Sequence, residues 1–241
     1  MFILRVILCL VLVGIPFSTN AQDKEVVVIL HGIAKTNSSM KPVEKALKAE
    51  GYETLSLTYP STEKSLAEIA DYLHDGPLNA AFWTQGRRVH FVTHSMGGLV
   101  VRTYLDRHKK RIAAGDLGRV VMLAPPNKGS EVSDLIHDLP PYDWFYGPAG
   151  QELTTEAQQK NAVKPYYDLG IIAGTKEWPY FVAAFVTPGK SDGRVTVENT
   201  KLDGMTDHVI VNGTHTFIMD KTDVHKHIIS FLKNGKFSNE Q

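Results

Sequence analysis

The stretch Thr93-His94-Ser95-Met96-Gly97-Gly98 sets one serine between a β-branched apolar run and a helix-like one. Val89-His90-Phe91-Val92-Thr93 reads as a strand, and Leu99, Val100, Thr103 and Tyr104 continue as a helix beyond the glycines. A serine on such a strand-to-helix turn projects its hydroxyl above the sheet, and small neighbours let strand and helix approach. The Met96 amide, at the helix start, can face a developing oxyanion, with the helix dipole adding to the effect. A serine hydroxyl is a weak nucleophile near neutral pH. It needs a histidine to take its proton and a carboxylate to fix that histidine's tautomer. Later segments offer both: Ser191-Asp192-Gly193 and Asn212-Gly213-Thr214-His215. Asp203 and Asp207 compete for the acid, and His208 for the base. His225 and His227, two apart on a helix, face different ways and read as surface residues, not as a metal pair.

The composition narrows what this chemistry can serve. The chain has 241 residues, with 26 Lys+Arg against 26 Asp+Glu, a balance that argues against nucleic-acid binding. One cysteine excludes an internal disulfide framework and a multi-cysteine metal site. That cysteine, Cys9, sits in an N-terminal segment with Arg5, a short apolar run from Val6 to Ile15, a break at Pro16, and small residues up to Ala21. Such a pattern predicts a cleaved secretory leader over residues 1–21, followed by one catalytic domain over 22–241 and export to the periplasm or beyond.

The elements that must position these residues alternate. Val26-Val27-Val28-Ile29-Leu30 is an uninterrupted apolar run, as expected of a strand covered on both faces. Pro42 opens a helix that Gly51 stops, and Tyr52 to Leu57 reads as a strand. Leu66, Ile69, Ala70 and Leu73 repeat at helical spacing. Further strands are predicted over Val120–Leu123, Ile171–Gly174 and Val209–Val211, and a last helix carries Val224, Ile228, Phe231 and Leu232. Lys109-Lys110-Arg111 is expected at the C-terminus of the helix after Ser95, where cations complement the dipole. Repeated strand–helix units predict an α/β fold, a mostly parallel central sheet with helices on both faces and ligands at the carboxyl ends of the strands. Residues 130–165, with Pro140-Pro141-Tyr142-Asp143-Trp144-Phe145-Tyr146-Gly147-Pro148, break the pattern and predict an insertion, a lid or wall, above the site.

With these residues in view, the chain resembles the α/β-hydrolase superfamily, and within it the secreted bacterial lipases and esterases. The usual elbow there is Gly-x-Ser-x-Gly; here Thr93, short enough to fit the turn, stands at the first position. His31-Gly32-Ile33 follows the first strand where lipases carry a His-Gly motif, and Pro125-Pro126-Asn127-Lys128-Gly129-Ser130 is similar to their loop after the next strand. The resemblance implies catalytic Ser95, Asp192 and His215, in that chain order, with the Ile33 and Met96 amides as the oxyanion hole. It places His31, Gly32, His94 and Pro126 around the substrate, His31 bracing its loop. The implied activity is hydrolysis of carboxylic esters, lipid-like or of medium acyl length, with no cofactor and no metal. The partners are then an ester substrate, small or lipid, and a lipid surface met transiently. An acyltransferase or amidase using the same three residues, or a silent binding protein of that fold, are the alternative readings.

Overall fold

The computed structural model describes residues 25–83, 87–112, 116–160, 163–179 and 187–238. The expected leader, residues 1–21, lies outside them. Among the described residues, no helix is long and apolar enough to cross a membrane.

Among the described residues, six strands form one sheet: β1 (Glu25–Leu30), β2 (Glu53–Leu57), β3 (Arg88–His94), β4 (Leu117–Leu123), β5 (Leu169–Gly174) and β6 (Asp207–Val211). Their order is β2-β1-β3-β4-β5-β6, and every neighbouring pair is parallel. The chain steps outward from β1 to β2, then crosses back to β3 on the other side. That reversal opens a crevice between the carboxyl ends of β1 and β3, where ligands enter such sheets. The register puts both ends at one level, because Leu30 pairs with Thr93, and His94 with Leu123.

The apolar runs are continuous because each strand is buried twice. Val26, Val28 and Leu30 point to the face covered by α2 (Leu66–Asp75) and α3 (Met96–His108). Val27 and Ile29 point to the face covered by α1 (Lys41–Ala49) and the last helix, Thr222–Asn234. Local signals set the helix ends. Ser65 and Glu68 form a reciprocal capping box at the start of α2. Gly235, with φ of 72°, ends the last helix in the left-handed conformation that lacks a penalty only for glycine.

The predicted insertion forms three short helices, α4 (Glu131–Ile136), α5 (Pro140–Gln151) and α6 (Thr155–Lys160). Gly147, at φ of 58°, breaks α5 ahead of Pro148. A Cβ there would lie 1.7 Å from the Thr62 carbonyl oxygen, so only glycine lets the insertion pack on the loop after β2. Several contacts tie the insertion down. Glu152 accepts the Leu66 amide at 2.8 Å, and the buried Arg102 of α3 donates to Gln158 of α6 as well as to Asn127. A single turn, α7 (Val197–Thr200), precedes β6, and the last helix becomes α8.

One sequence expectation changes. His227 is buried rather than at the surface, because the chain beyond Gly235 folds back and sets Phe237 edge-on against its ring at 5.8 Å. The basic run begins at Lys109, the C-cap of α3, as expected, and there Lys109 pairs with Asp106 at 3.3 Å and Arg111 contacts His74 at 2.7 Å.

Candidate active site

β3 delivers Ser95 onto a strained turn, with φ of 54° and ψ of −126°. A non-glycine residue at positive φ carries a cost of order 1–3 kcal/mol and persists only where its surroundings hold it. Here the Ser95 amide donates to the Leu123 carbonyl at 2.8 Å, and Gly98 donates back to the Ser95 carbonyl at 2.9 Å. A Cβ on Gly97 would lie 2.7 Å from the His31 carbonyl oxygen and 2.9 Å from that of Leu30. A bulkier residue would therefore push α3 off β1. Thr93 is fully buried on the strand side of the turn.

Asp192 sits in the loop after β5, on a tight turn closed by a bridge between Ser191 and Thr196 and by Gly193 at φ of 96°. Its carboxylate is fully buried. One oxygen accepts the amides of Arg194 at 3.0 Å and Val195 at 2.9 Å, and the other accepts His215 Nδ1–H at 2.8 Å. The two amides satisfy the buried charge and fix its direction. His215 Nε2 is left to accept the Ser95 hydroxyl, at 2.9 Å. The His215 backbone is clamped on both sides: its amide donates to the Asp192 carbonyl at 2.9 Å, and its carbonyl accepts His94 Nε2–H at 2.8 Å. Gly174, at the end of β5, makes the junction possible, since a Cβ there would meet the Gly213 carbonyl oxygen at 2.4 Å and Asp192 Cβ at 2.8 Å.

The rival residues lie elsewhere. His208 bonds to Thr200 at 3.2 Å near the start of β6, Asp207 accepts the Phe237 amide at 2.8 Å, and Asp203 is exposed.

Ser95 and His215 open into a cavity of about 350 Å³. Ile33 and Pro126 line it from the sheet side, Val132, Ile136, Tyr142, Tyr146 and Leu153 from the insertion, and Arg194 and Val195 from the acid loop. The Met96 amide is the first of α3, so it has no acceptor within its own helix. Of the residues expected around the substrate, Pro126 is on the wall, while His31, Gly32 and His94 stand behind it. His31 donates to the Gly32 carbonyl at 2.7 Å, stacks on Tyr59 at 4.2 Å, and its own carbonyl accepts the Tyr59 hydroxyl. Burial lowers the pKa of His31 and, more strongly, that of His94. Tyr59 carried no signal in the sequence, while Ser130, Gly174 and Arg194 stood out only as members of longer stretches, with no role of their own. Among the described residues, no three His, Cys, Asp or Glu side chains gather to hold a metal ion.

Residues 27–221 match the model of the alpha/beta hydrolase family, and the chain belongs to that family. No curated protein matches it by sequence. Several solved structures share its fold. The mature form of Bacillus licheniformis lipase BlEst2 aligns at 20% identity with a TM-score of 0.68, over 89% of this chain and 93% of that one. The chain spans only 52% of the same lipase in its propeptide form. The metagenomic carboxyl esterase MGS0156 aligns at 16% identity and TM-score 0.66, covering 80% of this chain and 65% of its own. Staphylococcus hyicus lipase aligns at 14% and 0.62, covering 84% and 90%.

Proposed function

We propose that the protein is an exported serine hydrolase that cleaves carboxylic esters with a lipid-like or medium-length acyl chain. The observation that carries this reading is the unbroken hydrogen-bond path from Ser95 through His215 to Asp192, at 2.9 and 2.8 Å, opening into an apolar cavity. In the cycle, His215 takes the Ser95 proton as the oxygen attacks the ester carbonyl. Asp192 holds the Nδ1–H tautomer and stabilises the imidazolium. The amides of Met96 and Ile33 receive the oxyanion; one such donor typically contributes about 10²–10³ in rate. His215 then protonates the departing alcohol, deprotonates a water, and the acyl-enzyme is released as the acid.

The cavity lies at the small end of the range for ligand sites, which suits one acyl chain of modest length. Leu135, Leu139, Trp144 and Phe145 stand exposed on α4, on α5 and between them, and fit a substrate presented at a lipid surface. Export rests on the leader-like residues 1–21. The test is a chain-length series of nitrophenyl esters beside a triglyceride emulsion, with a serine-reactive phosphonate to mark the nucleophile. Turnover with label on Ser95 is expected, best at medium length. Full turnover by Ser95→Ala overturns the reading.

A further inference from the structure

Stability alone does not explain the buried Arg102 of α3. It is 5% exposed, and among the described residues its hydrogen-bond acceptors are all neutral: the Asn127 carbonyl at 3.2 Å, Asn127 Oδ1 at 3.1 Å and Gln158 Oε1. Burial lowers its pKa to about 10. A buried cation held only by neutral groups costs more than an apolar side chain of similar volume. Its placement supplies the missing reason. Arg102 lies two turns beyond Ser95, about 10 Å along the same helix. One arm of the guanidinium holds Asn127, whose neighbour Pro126 is on the cavity wall. The other holds Gln158 of α6, whose side-chain amide donates to the Glu152 carbonyl at 2.6 Å, beside Leu153 on the insertion wall. Asn127 extends the link, since its Nδ2 donates to the Thr200 carbonyl of α7 at 2.8 Å. Arg102, Asn127 and Gln158 all stand behind the wall and do not line the cavity.

We infer that Arg102 is a positioning residue that sets the acyl-chain length the site accepts, by holding the Pro126 and Leu153 walls at a fixed distance from the nucleophile. This rests on the ester-hydrolase reading and adds to it the part that measures the substrate. An apolar pocket discriminates chain lengths by contact, and a wall that drifts by a fraction of a methylene forfeits much of that contact. The planar fork suits the task. Its N–H groups point at two segments at once in fixed directions, whereas a lysine ammonium sits on a flexible stem. The reacting groups are held separately, Ser95 by the Leu123 carbonyl and His215 by Asp192 and His94. The effect of Arg102 therefore falls on binding of the acyl chain and not on the chemical step.

The experiment measures kcat and KM for nitrophenyl acetate, butyrate, hexanoate and octanoate with wild type, Arg102→Gln, Arg102→Lys and Gln158→Leu. The readout is the kcat/KM of the best ester over that of the acetate. A ratio within one variant is independent of how much of that variant folds. Arg102→Gln should lower the ratio about tenfold, the worth of one methylene in an apolar pocket, with the loss in KM of the longer ester. Arg102→Lys should restore part of it. Gln158→Leu should lower it too, and the double variant should fall no further than Arg102→Gln, because both changes cut one link. Gly118→Ala, a destabilising change at the far end of the sheet, should leave the ratio as in wild type. If Arg102→Gln does not fold, Arg102→Lys and Gln158→Leu carry the same comparison. A wild-type ratio in all the Arg102 and Gln158 variants overturns the inference while leaving ester hydrolysis standing. The converse is read from calorimetric binding of butanoic, hexanoic and octanoic acids to wild type and Arg102→Gln. A chain-length preference lost with Arg102, in a protein that hydrolyses none of the esters, would keep the inference and remove the hydrolase. An equal preference in both proteins would overturn the inference there as well.

Discussion

β3 carries two buried histidines four residues apart, His90 near its start and His94 at its end. Burial pushes both below the usual histidine range, His90 to about 4 and His94 well down as well. Their partners differ. His90 Nδ1 accepts the Arg119 amide at 2.9 Å, with Glu25 at 3.8 Å and the edge of Tyr52 at 6.1 Å. His94 donates to the carbonyl of His215, whose ring reaches Ser95. A buried, neutral histidine is thus a property of both ends of the sheet and marks neither as a site. What separates them is a connected hydrogen-bond path to Ser95, the proposed nucleophile, which the fold builds where β1 and β3 diverge.

The largest effects should fall on that path. Ser95→Ala and His215→Ala should each lower kcat by about 10⁴–10⁶, and Asp192→Asn by about 10⁴ near neutral pH, because the amide fixes the wrong tautomer. Asp203→Asn and His90→Gln should leave turnover per folded molecule within about twofold. Steady-state kinetics on protein of matched circular dichroism decides this. A loss at Asp203 equal to that at Asp192 would move the acid.

At the other end the effect should be on stability. His90 binds its proton less readily in the folded chain than in the unfolded one. Protons are therefore taken up by the unfolded state as pH falls from 6.5 towards 4. The contribution is complete above the unfolded pKa and costs about 3 kcal/mol across that window. His94 acts in the same direction. Urea melts of wild type and His90→Gln at pH 7 and pH 4.5 should show the gap between the two pH values narrowing in the variant. An unchanged gap would mean that other groups set the acid sensitivity.

What was legible in the sequence follows the same division. β1 and β3 to β5 were readable because burial on both faces makes their apolar runs continuous, and Ser95 because the elbow is a local motif. His215 was readable from its place after the last strand and before the last helix. Positions set by distant segments were not. His227 looked solvent-facing until Phe237 returned over it. Tyr59 meets His31 across 28 residues, and the Arg194 carbonyl is held by the hydroxyl of Ser130, 64 residues earlier. The insertion was visible as an irregularity, but its anchors, Glu152 on Leu66 and Arg102 on Gln158, depend on packing that composition does not encode.

A matched pair of glycines offers the finest test of the two ends. Each β3 histidine has a glycine that leaves it room: Gly118 beside His90 and Gly32 beside His94. A Cβ on Gly118 would lie 2.7 Å from two atoms of the His90 ring and 2.9 Å from Arg88, so Gly118→Ala forces the ring or the strand to move. Overpacking of that kind costs about 1–3 kcal/mol. It should lower the denaturation midpoint while turnover per folded molecule holds. A Cβ on Gly32 would lie 3.1 Å from His94 Nδ1 and 3.2 Å from Ser95 Cβ. Neighbours can yield that far with little loss of stability, but the displacement falls on the nucleophile and on the Ile33 amide. Gly32→Ala should therefore lower kcat by about tenfold, since small misplacements at a reacting centre are amplified in rate. If Gly118→Ala reduced turnover and Gly32→Ala reduced only stability, the catalytic end of β3 would have been assigned the wrong way round.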